Sequence, residues 1–354
     1  MSILPDLRGT RVGAPGWWHK SLPTAIKLSS TLPLVFFLIV SSSAIGCAKP
    51  ETTARGPQNP SESKGTLPRL DFAVAGKILF EKAGGLFVWS NGATRRLGDQ
   101  RLSLGSPAWS PDGRKIAAVV VGQNHSDLVI LNASGGMEKQ ITKNVSNVRV
   151  QDSSWSRRPV WSPDGSKIVY ASDLGTDRLM LWMVNADGSA ARRVQVSPSG
   201  DGDIDTPTWS PDGKRIAFAA YWSGASQIHV YTLASSSLKR ITDGREGAYD
   251  PAWSSDGSLI AYTSRVDGKN DVWVADPDGK ASNRVTFLDT ARAPAWYPEG
   301  NVLAFLAIRD NVFDLFATKL SVSSGGPAVD ASEPKRLTRG EGIDATSGVS
   351  WSAQ

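Results

Sequence analysis

The sequence predicts an all-β fold, a six-bladed β-propeller closed by pairing of its C-terminal strand with its N-terminal blade. Three observations carry this: a tryptophan-led pentapeptide that recurs along the chain, a steady interval between its copies, and a composition rich in turn formers. Trp109-Ser-Pro-Asp-Gly113 returns at 161–165 and 209–213, as Trp253-Ser-Ser-Asp-Gly257 and, altered, as Trp296-Tyr-Pro-Glu-Gly300; a sixth Trp stands at 351. The intervals are 52, 48, 44, 43 and 55 residues, the size of a four-stranded propeller blade. With 34 Gly and 21 Pro in 354 residues, the chain has turns enough for many short strands.

Each blade can be read strand by strand. The first strand carries the Trp and ends in Ser-Pro-Asp-Gly, whose residues suit the four places of a type I turn, with Pro fixing φ at the second. The second strand is apolar, as in Lys115–Val120, Lys167–Tyr170, Arg215–Phe218, Leu259–Tyr262 and Val302–Phe305. The third follows at Asp127–Ile130, Leu179–Trp182, Gln227–Val230, Asp271–Val274 and Phe313–Phe316. A Gly, Asn, Asp and Ser turn then leads to a polar fourth strand ending in Gln140-Ile-Thr, Arg193-Val, Arg240-Ile-Thr, Arg284-Val-Thr or Arg336-Leu-Thr.

The segment from Ile78 to Leu97 supplies strands two, three and four but no first strand. Gly348–Ser352 supplies a first strand with nothing after it. Insertion of this tail beside residues 77–82 closes the ring and removes the open sheet edges. The six signature Trp residues are core by this reading. Trp89, Trp182 and Trp273 share one position in the third strand and are expected to pack between blades.

Residues 1–46 read as a signal peptide. Arg8, Arg11, Lys20 and Lys27 precede the apolar run Leu32–Val40, which is too short for a bilayer span and ends in small residues before Cys47. Small residues followed directly by Cys resemble the lipobox of bacterial lipoproteins, which implies lipidation at Cys47 and a membrane contact through a lipid anchor. Residues 47–75, with Pro50, Pro57, Pro60 and Pro68, read as a tether, and 76–354 as the propeller. The leader holds four of the 39 basic and one of the 34 acidic residues, so its loss lowers the formal charge from +5 to +2 and removes the case for nucleic-acid binding. With one Cys there is neither a disulfide framework nor a thiolate zinc site.

The Trp-Ser-Pro-Asp-Gly copies with their Arg-Ile/Val-Thr endings resemble the TolB-type, WD40-like β-propeller repeat of bacterial envelope proteins, over residues 76–354. The resemblance implies a periplasmic or extracytoplasmic, monomeric propeller with an envelope protein as partner. TolB itself carries an α/β domain before its propeller, and residues 48–70 are too few to form one, so TolB's own partners do not transfer with the repeat.

Antiparallel order puts the Ser-Pro-Asp-Gly turns and the third-to-fourth turns on one face, the bottom. The second-to-third and blade-to-blade connections lie on the other, the top, where loops are longer and more varied, as binding loops on a rigid ring tend to be. The insertion Ser321–Pro334 is the one elaboration at the bottom, expected as a solvated hairpin tip. On the top, Trp155, Arg157, Arg158, Tyr221, Trp222, Tyr249, Asp250 and Arg292 are the candidate partner-binding residues, since Trp, Tyr and Arg dominate protein hot spots. Arg158, Asp250 and Arg292 stand just before channel-lining strands, where an ion-pair network is as fitting as a ligand site.

No cofactor is expected. Asp201, Asp203 and Asp205 alternate as calcium ligands can, but the segment lacks the loop glycine of an EF-hand and runs into Pro207, so a solvated acidic loop is favoured. His125 and His229 are isolated. There is no Gly-x-Ser-x-Gly elbow, the one thiol is the proposed lipid attachment point, and no hydrolase domain follows the ring. The expectation is a cell-envelope lipoprotein acting as a non-catalytic protein-binding scaffold through its top face. The competing expectation is a carbohydrate-binding or polysaccharide-lytic propeller working at the channel mouth.

Overall fold

The computed structural model describes residues 72–147, 149–196, 202–222, 224–322 and 329–354. The leader, Cys47, the tether up to residue 71 and Asp201 lie outside the described residues. The described residues form six sheets, and these are the six blades of a propeller. In chain order of their first strands, blade 1 spans Leu104–Gln140, blade 2 Ser156–Arg193, blade 3 Ile204–Arg240, blade 4 Ala248–Arg284 and blade 5 Arg292–Arg336. Blade 6 joins the two ends of the chain: Ser350–Ser352 pairs with Lys77–Lys82 in the register Ile78 opposite Trp351, and Gly85–Ser90 and Ala93–Leu97 complete it.

Turn chemistry sets the corners. In each of the first four copies the turn Ser Oγ donates to the Asp carboxylate two residues on, at 2.5–2.6 Å, and accepts the N–H of the residue five on, at 2.9 Å. Gly113, Gly165, Gly213 and Gly257 sit at φ 65–73°, which explains why glycine closes the motif.

Apolar packing lies between the blades. Six clusters fill the six inter-blade gaps, and each contains one signature Trp pressed against the preceding blade, all of them 6–7% exposed. Trp89, Trp182 and Trp273 sit opposite Ile78, Tyr170 and Tyr262, and they too face a neighbouring blade. Ring closure therefore buries the sixth gap as fully as the other five. Asp314, fully buried at the head of a third strand, accepts from Arg336 Nη2 (2.5 Å), Thr338 Oγ1 (2.8 Å) and two backbone N–H groups. Asp271 does the same with Arg284 and Thr286, and Asp127 with Gln140 and Thr142. At 284–286 and 336–338 the Arg-x-Thr ending thus clamps the fourth strand to a buried acid on the third, whereas in blade 3 the place of the acid is taken by Gln227, which accepts from Thr242 Oγ1 at 2.7 Å.

At the bottom of blade 5, the third strand runs on from Val312 to Val322 and pairs with Val329–Ala331, so the insertion is flanked by a short hairpin. The tip, 323–328, is outside the described residues.

Candidate functional site

The inner strands share a feature that spacing alone does not show. Three residues before each signature Trp the backbone turns to positive φ: Ser106, Arg158, Thr206, Asp250 and Ala293 at 50–52°, and Gly348 at 78°. In the five complete blades the pairing register slips at this point, so each first strand carries a bulge. Proline follows all five non-glycine residues. A residue before Pro ordinarily prefers extended backbone, and Pro has no N–H to lose from the ladder. Arg158, Asp250 and Arg292 therefore lie inside the channel-lining strands, not just before them as the sequence suggested.

These six positions line one cavity of about 230 Å³ at the centre of the ring. Arg158 reaches across it. Its Nη2 lies 3.3 Å from Asp250 Oδ1 on blade 4, and a Cβ on Gly348 of blade 6 would collide with its Nη1. The guanidinium thus occupies lumen shared by three alternate blades. Arg292 Nη2 lies 3.6 Å from the other Asp250 oxygen, which also accepts from Thr263 Oγ1 at 3.3 Å. Two cations converge on one buried carboxylate. Nearby, Glu81 accepts from Ser347 Oγ, and burial, only partly offset by that hydroxyl, pushes its carboxyl above the usual range.

The remaining candidates sit elsewhere. Trp155 is half-buried and its backbone N–H donates to Asp173 at 2.7 Å; burial raises the Asp173 carboxyl despite that bond. Arg157 faces Asp205 of blade 3 at 3.8 Å. Tyr249 is half-buried, its hydroxyl donating to the Glu246 carbonyl at 3.2 Å. Trp222 turns inward onto Phe218 and His229, at centroid distances of 6.0 and 4.6 Å, while Tyr221 stands 56% exposed. Burial lowers the His229 pKa, so this imidazole is a neutral packing group. Asp203 accepts the Leu179 N–H, so it and Asp205 are engaged in different directions. Among the described residues no three His, Cys, Asp or Glu come together as a metal site would need.

Sequence reasoning missed Phe287. It is 59% exposed on the top, with the Arg284 guanidinium 4.6 Å from its ring centroid. Exposed large hydrophobic residues concentrate on that face. Val121, Tyr221, Val266 and Ile308 end second strands, Leu174 follows one, and Val145, Val150, Phe287 and Leu288 lie in blade-to-blade connections; only Met137 of the ten among the described residues is at the bottom.

Comparison with known proteins places this architecture. The TolB beta propeller domain family matches residues 86–203 and 195–330. The chain belongs to that family. It is 36% identical over 104 residues to the Tol-Pal system protein TolB of Anaeromyxobacter dehalogenans, a stretch covering 29% of this chain and 21% of that protein. The matching stretches span less than half the length of the curated relatives. Among solved structures, a TolB from Agrobacterium tumefaciens shares the fold with a TM-score of 0.57 at 19% identity, over 79% of this chain and 99% of that one. TolB from Acinetobacter baumannii also gives 0.57, at 22% identity over 78% of this chain and 66% of its own. The likeness to these two structures is one of fold.

Proposed function

We propose that this TolB-family propeller is a cell-envelope protein, lipid-anchored through Cys47, that binds a protein partner with its top face and performs no covalent chemistry. The observation carrying this reading is the one-sided apolar surface: nine of ten exposed large hydrophobic residues among the described residues share the top, around a polar channel mouth. Exposed apolar side chains gathered on one face, with a fixed aromatic such as Phe287 among them, are what an interface core requires. Similarity to the Anaeromyxobacter relative, a Tol-Pal system protein, supports an envelope setting. The lipobox-like leader supports the anchor.

The test is cross-linked capture from intact cells with the full chain and with Tyr221→Ser/Phe287→Ser, folding being checked by near-ultraviolet circular dichroism. One envelope protein held in stoichiometric amount by the parent and lost by the folded variant is expected. Equal capture by both rejects the face. A glycan depleted on incubation with the protein rejects the non-catalytic reading.

A further inference from the structure

We propose that Arg158 and Arg292 form a receptor for one further carboxylate inside the channel mouth. Each guanidinium offers five N–H donors. Among the described residues the pair makes a single hydrogen bond, from Arg158 Nη2 to Asp250 Oδ1. Asp250 takes the Arg158 bond and the Thr263 hydroxyl while Arg292 stands off at 3.6 Å, and one carboxylate, with about four acceptor sites, cannot meet the ten N–H donors of two guanidiniums. Two cavity-lining residues hold buried polar atoms without a partner, Arg158 at Nε and Thr206 at its hydroxyl, and so does Arg292 at Nε, next in sequence to the lining residue Ala293.

Donors in surplus around a polar cavity call for an acceptor with several lone pairs, and a guanidinium fork matches a carboxylate two oxygens at a time. The charge balance selects the ligand. Two guanidiniums face one buried aspartate, which leaves a single positive charge to be met; a phosphate dianion would overshoot and be repelled by Asp250. Glu81, the other acid near Arg158, is engaged by the Ser347 hydroxyl, and among the described residues it makes no hydrogen bond or ion pair with either guanidinium. A cavity of about 230 Å³ admits a carboxylate-bearing side chain or chain terminus, not a folded domain. The ligand is therefore either a small free carboxylate or an acidic group on an inserted segment of the partner. That second source deepens the top-face reading and rests on it.

The full chain is titrated with propionate, with a hexapeptide bearing a free C-terminal carboxylate, with the same peptide amidated, and with inorganic phosphate, following the Nε–H NMR signals of both arginines. Saturable shifts with propionate and the free peptide, and none with the amide, are expected. A peptide that binds tighter than propionate identifies a partner segment; equal affinities identify a small free carboxylate. Arg292→Gln should weaken binding about tenfold or more. Arg292→Lys, which keeps the charge and loses the fork, should also weaken it in a folded protein. No saturable shift, wild-type affinity in both Arg292 variants, or phosphate binding as well as propionate overturns the site. Tyr221→Ser/Phe287→Ser should still bind propionate, so loss of the partner face leaves this result separate.

Discussion

Replacing the signature Trp residues by Phe, one at a time, should divide them into two classes. The six indoles are equally buried and pack in equivalent gaps, so the burial lost on going to phenyl is common to all, roughly 1 kcal/mol for some 40 Å² at about 25 cal/mol per Å². Their N–H groups are not equivalent. Trp161 Nε1 donates to the Ala108 carbonyl at 3.2 Å, Trp296 to Ala252 at 3.0 Å and Trp351 to Ala75 at 2.9 Å. Trp109, Trp209 and Trp253 hold theirs buried without a partner. Phe removes a hydrogen bond in the first set, at about 1 to 2 kcal/mol with the carbonyl left behind, but removes an unsatisfied donor in the second, which offsets the lost burial.

The two sets should differ by about 2 kcal/mol, roughly thirtyfold in the unfolding equilibrium. Trp109 and Trp209 are the cleaner members of the second set, because Trp253 also carries the Arg215 guanidinium 4.6 Å from its ring centroid. Guanidinium chloride midpoints, compared at unchanged slope, measure the difference. Six variants equal within about 0.5 kcal/mol would show that the indole nitrogens contribute nothing and that the repeat selects Trp for size alone.

Other expectations follow from the clamps, corners and closure. Asp314→Asn leaves Arg336 with only the exposed Asp310 as its acid and should cost more than Asp127→Asn, which alters bonds from Gln140 and Thr142 and a 3.7 Å approach of His125 and should cost about 1 to 2 kcal/mol in the same unfolding assay. Asp164 is held down to about 2 from 3.8 by the Ser162 hydroxyl and then by Ser166. Its stabilisation is present above pH about 4 and lost as the pH falls toward 2, so Asp164→Asn should flatten the acid side of a stability–pH curve. Glu81 has the opposite sign: its raised pKa stabilises the fold fully below its ordinary 4.5, and that contribution is lost as the pH rises through the folded value. Glu81→Gln should flatten that decline while keeping an acceptor for Ser347. Ending the chain at Thr346 exposes the edge of Lys77–Lys82 and one inter-blade core, and should give aggregation on size-exclusion chromatography with loss of the near-ultraviolet signal.

What could be read from the sequence and what could not divide along the range of the interactions. The strand order and the six blades follow from local chemistry: a Ser-Pro-Asp-Gly corner carries its own hydrogen bonds, and alternation within ten residues marks the strands beside it. The Arg-x-Thr ending was visible as a repeat but not as a clamp, since the buried Asp271 or Asp314 it serves lies 13 to 24 residues earlier on another strand. The exposure of Phe287 was equally hidden: its place at the start of a top loop could be read, but only the packed ring decides whether an aromatic there tucks against its blade or stays outside. The bulge was hardest to see. Arg158 and Asp250 each precede a proline, which favours extended backbone, and their left-handed turn is imposed by the closed ring, at roughly 1 kcal/mol or more for each such non-glycine residue. Yet the place of the bulge was available, three residues before every Trp, and what occupies it is the telling part. The framework repeats while Ser, Arg, Thr, Asp, Ala and Gly take the six equivalent places in turn. An ion pair between residues 92 apart, with a glycine opposite whose missing Cβ leaves room for the arginine where it lies, cannot come from a repeating rule. A place that varies ahead of a framework Trp, and that lines the cavity in every blade, is where this propeller's chemistry is its own.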